Sequence, residues 1–295
     1  MATKEIIGFI GLGVMGEPIC RNLQLKSGLP VVAFDRVAEP LERLNADGVG
    51  AGSSAHDVAA SADVLFLCLP SGKHVEAVIA EILPAIRTGQ VVVDLGTSPV
   101  QLARRIATQF SARGAAFADA PIARTREAAQ RGTLSVMVGA DPEVYARLEP
   151  LIRCFATDVT HCGAVGAGQV VKILNNMVLF ETVNALAEAL AVGRRAGLDP
   201  ALLFDTLSKG SADSFALRNH GIKAMVPDNF PERAFSVEYA RKDLSYALDL
   251  ANDVGVPLRG AKVVDEVLRE TSAAGFGGAY FPVLARVVNA VTPSK

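Results

Sequence analysis

Gly8-Phe9-Ile10-Gly11-Leu12-Gly13-Val14-Met15-Gly16 opens the chain's first legible unit. The apolar run that leads into it, Ile6 to Ile10, has strand length, and Glu17 to Leu25 after it carries apolar residues at three and four spacing, the mark of a helix. A bare G-x-G-x-x-G says little; placed between a strand and a helix it marks a dinucleotide-binding βαβ unit. Gly11 permits the tight turn, Gly13 lets a pyrophosphate approach the backbone, and Gly16 lets the helix pack closely on the strand. The pyrophosphate is expected on the helix N-terminus, where free N–H groups and the dipole favour an anion. Gly11, Leu12, Gly13, Val14, Met15 and Gly16 are therefore candidate cofactor residues.

Outward from this loop, Pro30 to Phe34 reads as a second strand and ends at Asp35. That places an acid about 20 residues beyond the last glycine, where it bonds both ribose hydroxyls and repels the extra phosphate of NADP. NAD is expected ahead of NADP, although Arg36 alongside partly offsets the repulsion, and Asp35 could instead be an ordinary turn residue. Val64 to Leu69 and Val91 to Asp94 are further unbroken apolar runs, as strands covered on both faces of a parallel sheet read. Helical periods at Ala38 to Asp47, Val75 to Ile86 and Ser98 to Phe110 separate them, and the alternation implies an α/β chain with a Rossmann-type doubly wound sheet. Leu69, Pro70 and Thr97 fall at carboxyl ends of strands, where ligands of such sheets collect. A further strand pair, Phe117 to Ala120 and Ser135 to Val138, is expected to flank a polar segment from Arg124 to Arg131.

Past Cys162 the pattern changes. Glycines at 163, 166 and 168 break the chain, and Gln169 to Ala196 is one long Ala- and Leu-rich helical stretch. Everything after it reads as helix, so the expected division is a dinucleotide-binding domain over 1–165 and an all-helical substrate and oligomerisation domain over 166–295. A length of 295 residues suits two such cores, and with 50% apolar residues disorder is excluded. A net charge of −2 without a basic run gives no electrostatic case for nucleic acid or an anionic membrane, which favours a small-molecule partner. The N-terminus lacks the long apolar region of a signal peptide and no run of ~18 charge-free apolar residues occurs, so a cytoplasmic location is expected. Cys20, Cys68, Cys154 and Cys162 show no Cys-x-x-Cys spacing; neither disulfide nor metal is expected. The helical half has more apolar surface than one such domain hides, pointing to a homodimer or homotetramer.

The Rossmann half leaves the reaction open. In Gly166-Ala-Gly168-Gln169-Val-Val-Lys172-Ile-Leu-Asn175-Asn176, Lys172 and Asn176 stand four apart on one helix face. From this helix alone, a catalytic lysine and a solvated lysine at the domain joint are equally good readings.

The glycine loop, Asp119-Ala120-Pro121 with Gly132-Thr133-Leu134 and Met137-Val138-Gly139, the Lys172 helix, and Phe235 with Lys242-Asp243-Leu244 together resemble the β-hydroxyacid dehydrogenase family. The resemblance runs from Ile6 to roughly Leu284. It implies an NAD(P)-dependent oxidoreductase acting on CH–OH groups, moving hydride between nicotinamide and a small anionic hydroxy acid or semialdehyde. Substrates like 3-hydroxyisobutyrate, glycerate or sulfolactaldehyde fit that description. It further implies Lys172 as general acid/base, Asn176 and Asp243 beside the substrate, the segment Ala123-Arg124-Thr125 on its acidic group, and Thr97 and Lys242 on the cofactor. Removing a hydroxyl proton as hydride departs needs a base, and a lysine, ordinarily with a pKa of ~10.4, serves if burial lowers it.

The chain departs from the family in three places. Most members carry Ser-Gly-Gly where Ala123-Arg124-Thr125 stands; a guanidinium there offers forked bonds to a carboxylate, sulfonate or phosphate, or else a plain surface ion pair. This Arg-Thr resembles the sulfolactaldehyde reductase branch. Tyr280 replaces an acidic residue, and Gly96 stands where many relatives have Ser. Two other readings share the two-domain plan: an imine reductase, which generally lacks the lysine, and a non-catalytic dinucleotide sensor.

Overall fold

The computed structural model describes residues 5–232 and 234–290; residues 291–295 of the expected second domain lie outside them. The chain separates into two compact units that meet at Lys172 and Ile173. The first begins β1 (Ile7–Ile10), α1 (Gly16–Lys26), β2 (Val31–Phe34), α2 (Ala38–Asn45), β3 (Gly50–Ala51), α3 (Ala55–Ser61), β4 (Val64–Leu67) and α4 (Gly72–Ile82). It continues β5 (Val91–Asp94), α5 (Val100–Ser111), β6 (Ala116–Asp119), β7 (Ile122–Ala123), α6 (Arg126–Arg131), β8 (Leu134–Gly139), α7 (Pro142–Ile152) and β9 (Ala156–Gly163), and ends in the opening turns of α8 (Ala167–Arg195).

Six strands run parallel in the order β3-β2-β1-β4-β5-β6, the dinucleotide-binding arrangement, before β8 joins β6 antiparallel and β7 and β9 pair with β8. The apolar runs of β1, β4 and β5 are buried throughout because alternate side chains enter separate cores on opposite faces. Phe9, Val64 and Phe66 pack on one side; Ile10, Leu65 and Leu67 pack on the other. This two-sided burial is why those strands read as continuous rather than alternating.

Within the polar segment expected from Arg124 to Arg131, residues 126–131 form the short helix α6. The Thr125 hydroxyl accepts from the Ala128 N–H at its start, and Gly132 closes it with φ 70°. Strand β9 also escaped the sequence reading: its residues are largely exposed or half-buried, so it shows neither a continuous apolar run nor a clean alternation.

The second unit continues α8 and adds α9 (Pro200–Leu207), a π-helical stretch at Leu217–Met225, α10 (Val237–Asp253), α11 (Arg259–Thr271), a π-helical turn at Ser272–Phe276, a 3₁₀ turn at Phe281–Val283 and α12 (Leu284–Ala290). Two isolated bridges, Glu232 with Ala279 and Ser236 with Tyr280, are its β pairings among the described residues. By length and composition α8 could cross a membrane, but Phe180, Val183, Ala187 and Leu190 lie in the core of the helical unit.

Candidate active site

The three loop glycines do different things. A Cβ on Gly11, whose φ is 97°, would lie 2.4 Å from the Cys68 carbonyl oxygen; one on Gly16 would lie 1.9 Å from the Gly11 carbonyl oxygen. Both positions are closed by the protein's own backbone. A Cβ on Gly13 would meet no atom within 4 Å beyond its chain neighbours, so the space a side chain would fill stands open beside the start of α1. Met15 caps that helix without any side-chain hydrogen bond; in the first turn the Glu17 and Ile19 N–H groups donate to the Gly13 and Met15 carbonyls at 3.1 and 3.3 Å, and Pro18 has none to offer. Leu12 is buried, Met15 half-buried, and Val14 exposed. The Asp35 carboxylate accepts the Leu12 N–H at 2.5 Å and the Val37 N–H at 2.8 Å, which ties the end of β2 to the glycine loop. Arg36 beside it is exposed. An open glycine, an uncapped helix start and an acid at the end of β2 fit a bound dinucleotide.

Loops at the carboxyl ends of β1, β4 and β5 converge. Leu69 lies against Gly11, and a Cβ on Gly96 would stand 2.9 Å from the Leu69 carbonyl oxygen and 3.0 Å from Asp94 Oδ1. That crowding leaves little room for a side chain at Gly96. Pro70 is exposed and Thr97 half-buried between Gly96 and Ser98. Asp94 accepts the Gly96 N–H and the Ser98 hydroxyl, each at 2.8 Å. From the opposite side the buried Gln169 donates to the Gly96 carbonyl at 2.8 Å and accepts the Ser98 N–H at 3.0 Å. Asp119, wholly buried at the end of β6, accepts the N–H groups of Gly166 and Gln169 at 2.6 and 2.7 Å. Burial pushes its carboxyl up to about 6, against the opposing pull of those two N–H groups and of Arg104. Lys172, half-buried, follows three residues after Gln169. Asp94, Asp119, Ser98 and Gln169 received no role from the sequence; the available signal was an acid closing each of two apolar strands at the ligand-collecting edge.

Ala123 ends β7, paired with Ser135. Arg124 holds φ 89°, a left-handed conformation that suits glycine and strains other residues. Its guanidinium pairs with Asp158 at 2.7 Å and donates to the Thr133 carbonyl at 2.7 Å and the Thr157 hydroxyl at 3.0 Å. The Thr125 hydroxyl is engaged at the start of α6. Arg124 thus sits in a surface ion pair on β9 rather than with its fork open.

In the second unit, Asn176 is buried on α8. Its amide donates to Asp243 Oδ2 at 2.7 Å and accepts from the Asn175 amide at 3.1 Å. Asp243, 2% exposed, also meets the Lys242 ammonium at 2.9 Å, an ion pair whose angles fall outside hydrogen-bond geometry. Lys242 lies over the Tyr239 and Tyr246 rings at 4.9 and 5.5 Å. Asp243 therefore orients Asn176 and Lys242, with both oxygens already facing them. Nearby, the Tyr280 hydroxyl lies 2.5 Å from His220 Nδ1, and His220 Nε2 is buried without a partner.

Two family matches cover most of the chain. Residues 6–163 match the NAD binding domain of 6-phosphogluconate dehydrogenase, and residues 166–288 match the NAD-binding domain of NADP-dependent 3-hydroxyisobutyrate dehydrogenase. A 2-(hydroxymethyl)glutarate dehydrogenase of Eubacterium barkeri is 34% identical over 274 residues, covering 92% of this chain and 90% of its own. The mitochondrial 3-hydroxyisobutyrate dehydrogenase of Rattus norvegicus is 33% identical over 284 residues, covering 94% and 84%. Among solved structures, Mycobacterium tuberculosis 3-hydroxyisobutyrate dehydrogenase with L-serine superposes with a TM-score of 0.88 at 30% identity, covering 98% of this chain and 100% of that one.

Proposed function

The chain belongs to the β-hydroxyacid dehydrogenase family, an NAD(P)-binding family of oxidoreductases acting on CH–OH groups, and on that premise we propose that Lys172 is its general acid/base. When bound, the nicotinamide accepts or supplies the hydride. The Lys172 amine takes the hydroxyl proton during oxidation and returns it during reduction, a role typically worth ~10²–10⁴ in rate. Asn176, one helical turn further along α8 and held by Asp243, orients the substrate oxygen. The single observation that carries this reading is the long helix α8 bearing Lys172 and Asn176 on one face, its first turn bound to the turn that contains Thr97.

The substrate is a small hydroxy acid or semialdehyde whose acidic group is taken at Ala123, Arg124 and Thr125. Because the guanidinium pairs with exposed Asp158, an incoming anion competes with that carboxylate for Arg124. Thr97 and Lys242 contact the nicotinamide half of the cofactor, and Leu69 and Pro70 line the adenosine-to-nicotinamide path. Asp35 supports NAD over NADP, since its carboxylate faces the Leu12 N–H at the mouth of the glycine loop. Residues 1–165 serve the cofactor and 166–295 serve substrate and assembly. Exposed Val178 and Val192 on α8 support association of two or four copies.

A screen of 3-hydroxyisobutyrate, glycerate, tartronate semialdehyde, succinic semialdehyde, sulfolactaldehyde, 2-(hydroxymethyl)glutarate and L-serine with NAD(H) and NADP(H) identifies the substrate. With the best of these, Lys172→Ala is expected to lose roughly 10²-fold or more of kcat while NADH still binds. Turnover close to wild type in that variant overturns the assignment.

A further inference from the structure

We propose that Asp119 and Gln169 are positioning residues: they fix the first turns of α8, and through them Lys172, against the Gly96–Ser98 turn that carries Thr97. This rests on the acid/base reading of Lys172 and adds to it the means by which its backbone is aimed.

A helix begins with N–H groups that have no partner within it, and a local Ser, Thr, Asp or Asn usually supplies one. Residues 163–166, Gly-Ala-Val-Gly, offer none of these. The acceptor comes instead from the end of a central strand: the two oxygens of Asp119 take the N–H groups of Gly166 and Gln169 at 2.6 and 2.7 Å. The contact has no slack. A Cβ on Gly168 would lie 2.3 Å from the Met137 carbonyl oxygen and 2.9 Å from Asp119 Oδ2, and one on Gly139 would lie 2.4 Å from Asp119 Oδ1. Helix start, β6 and β8 are pressed together around one carboxylate.

Gln169 carries the constraint onward. Its wholly buried amide grips the backbone on both sides of Thr97, at Gly96 and Ser98, while Asp94 holds the same two residues from the strand. A turn gripped from two directions by buried polar groups, each fully engaged, has one position. Lys172 lies three residues beyond Gln169 on the same helix. A hydrogen-bond relay thus runs from β6 through α8 to the turn after β5, and it meets two residues proposed to touch cofactor and substrate. Misplacing a reacting group by about 1 Å can cost roughly 10²-fold in rate, which is the scale of effect such a relay controls.

Charge enters because Asp119 holds both N–H groups only as a carboxylate. Facing it are Arg104 on α5, Cys162 on β9, and Asp94 in register on β5. With burial raising its carboxyl to about 6, mild acid adds a proton where an acceptor is needed and loosens the helix start.

The test uses the full chain with whichever substrate of the screen turns over fastest. Asp119→Asn keeps the shape but turns an N–H donor toward a backbone N–H; Gln169→Met keeps the length and removes both grips on the turn. Each is expected to lose roughly 10- to 100-fold in kcat, with the NADH dissociation constant, read by fluorescence, within about threefold of wild type. The acid limb of wild-type kcat/KM, centred near pH 6, should vanish in Asp119→Asn, a change that loss of stability alone would not produce. Should Asp119→Asn fail to fold, Gln169→Met decides. A kcat within twofold of wild type in either folded variant, beside an inactive Lys172→Met, overturns the positioning role alone. An active Lys172→Met overturns the acid/base reading and this inference with it.

Discussion

Two glycines three residues apart should respond in opposite ways to the same added methyl group. At Gly13 a Cβ meets no atom within 4 Å beyond its chain neighbours, and the residue does not need a positive φ. Gly13→Ala should therefore leave folding stability within ~0.5 kcal/mol of wild type. If the pyrophosphate occupies that open space, the methyl overpacks it at a cost of ~1–3 kcal/mol. This corresponds to a dissociation constant for NADH about 5- to 150-fold weaker. At Gly16 the same methyl would stand 1.9 Å from the Gly11 carbonyl oxygen, so α1 must retreat by about 1.5 Å to reach an ordinary contact. Backbone cannot yield as a flexible side chain would. Gly16→Ala should lose ~3 kcal/mol or more, a fall of roughly 6–12 °C in Tm for a unit of this size. Thermal melting and fluorescence titration with NADH, run on both variants, give the four numbers. Gly13→Ala binding NADH as tightly as wild type would refute the assignment of the open space to the pyrophosphate. Gly16→Ala melting with wild type would refute the close packing of helix on strand.

Three further outcomes can be checked. Asp35→Asn should narrow the preference for NADH over NADPH by about tenfold, ~1.4 kcal/mol, read as the ratio of kcat/KM values; an unchanged ratio removes Asp35 from cofactor selection. Arg124→Gly relieves a left-handed residue, worth ~1–2 kcal/mol, and breaks an exposed ion pair worth at most ~1 kcal/mol; net stability should stay within ~1 kcal/mol. The KM for an anionic substrate should nevertheless rise several-fold, and a constant KM would show that the guanidinium serves Asp158 alone. For His220, burial depresses the ring to about 4 from 6.5. Below pH 6.5 the unfolded chain gains a proton that the folded one refuses, so this residue's contribution is complete above pH 6.5 and is lost as pH falls toward 4, by up to ~3 kcal/mol. Asp119 has the opposite sign, because its raised carboxyl favours the fold below pH 3.8 and ceases to do so as pH climbs through about 6. The readout is therefore the difference between His220→Gln and wild type in urea midpoints from pH 7 to 4. A difference that does not change with pH would contradict the buried, neutral imidazole.

The glycine loop was legible because each of its residues answers a local demand: a turn, an approach, a close packing. The same holds for β1, β4 and β5, whose two-sided burial leaves uninterrupted apolar runs, and for α8, whose length survives any error at its ends. Strand β9 was invisible because it is exposed along much of its length, and α6 because its six residues, four of them polar and only Ala128 and Ala129 apolar, are too few to show a period; only its Thr125 and Gly132 caps mark it. For Arg124, the sequence offered a forked cation without its partner. Asp158 lies 34 residues away, and its approach depends on β9 pairing with β8.

The sequence alone determined the parallel sheet, the dinucleotide loop, the helical second half and the family, because these follow from periodicity and from motifs whose parts are close along the chain. Tertiary structure decided which polar groups meet. Asp119 reaches Gly166 and Gln169 across 47 and 50 residues, and Gln169 reaches the turn around Thr97 across more than 70. The physical reason is that a hydrogen bond depends on distances of about 3 Å, and no local pattern of residues encodes which distant strand end will come to lie beneath the start of a helix.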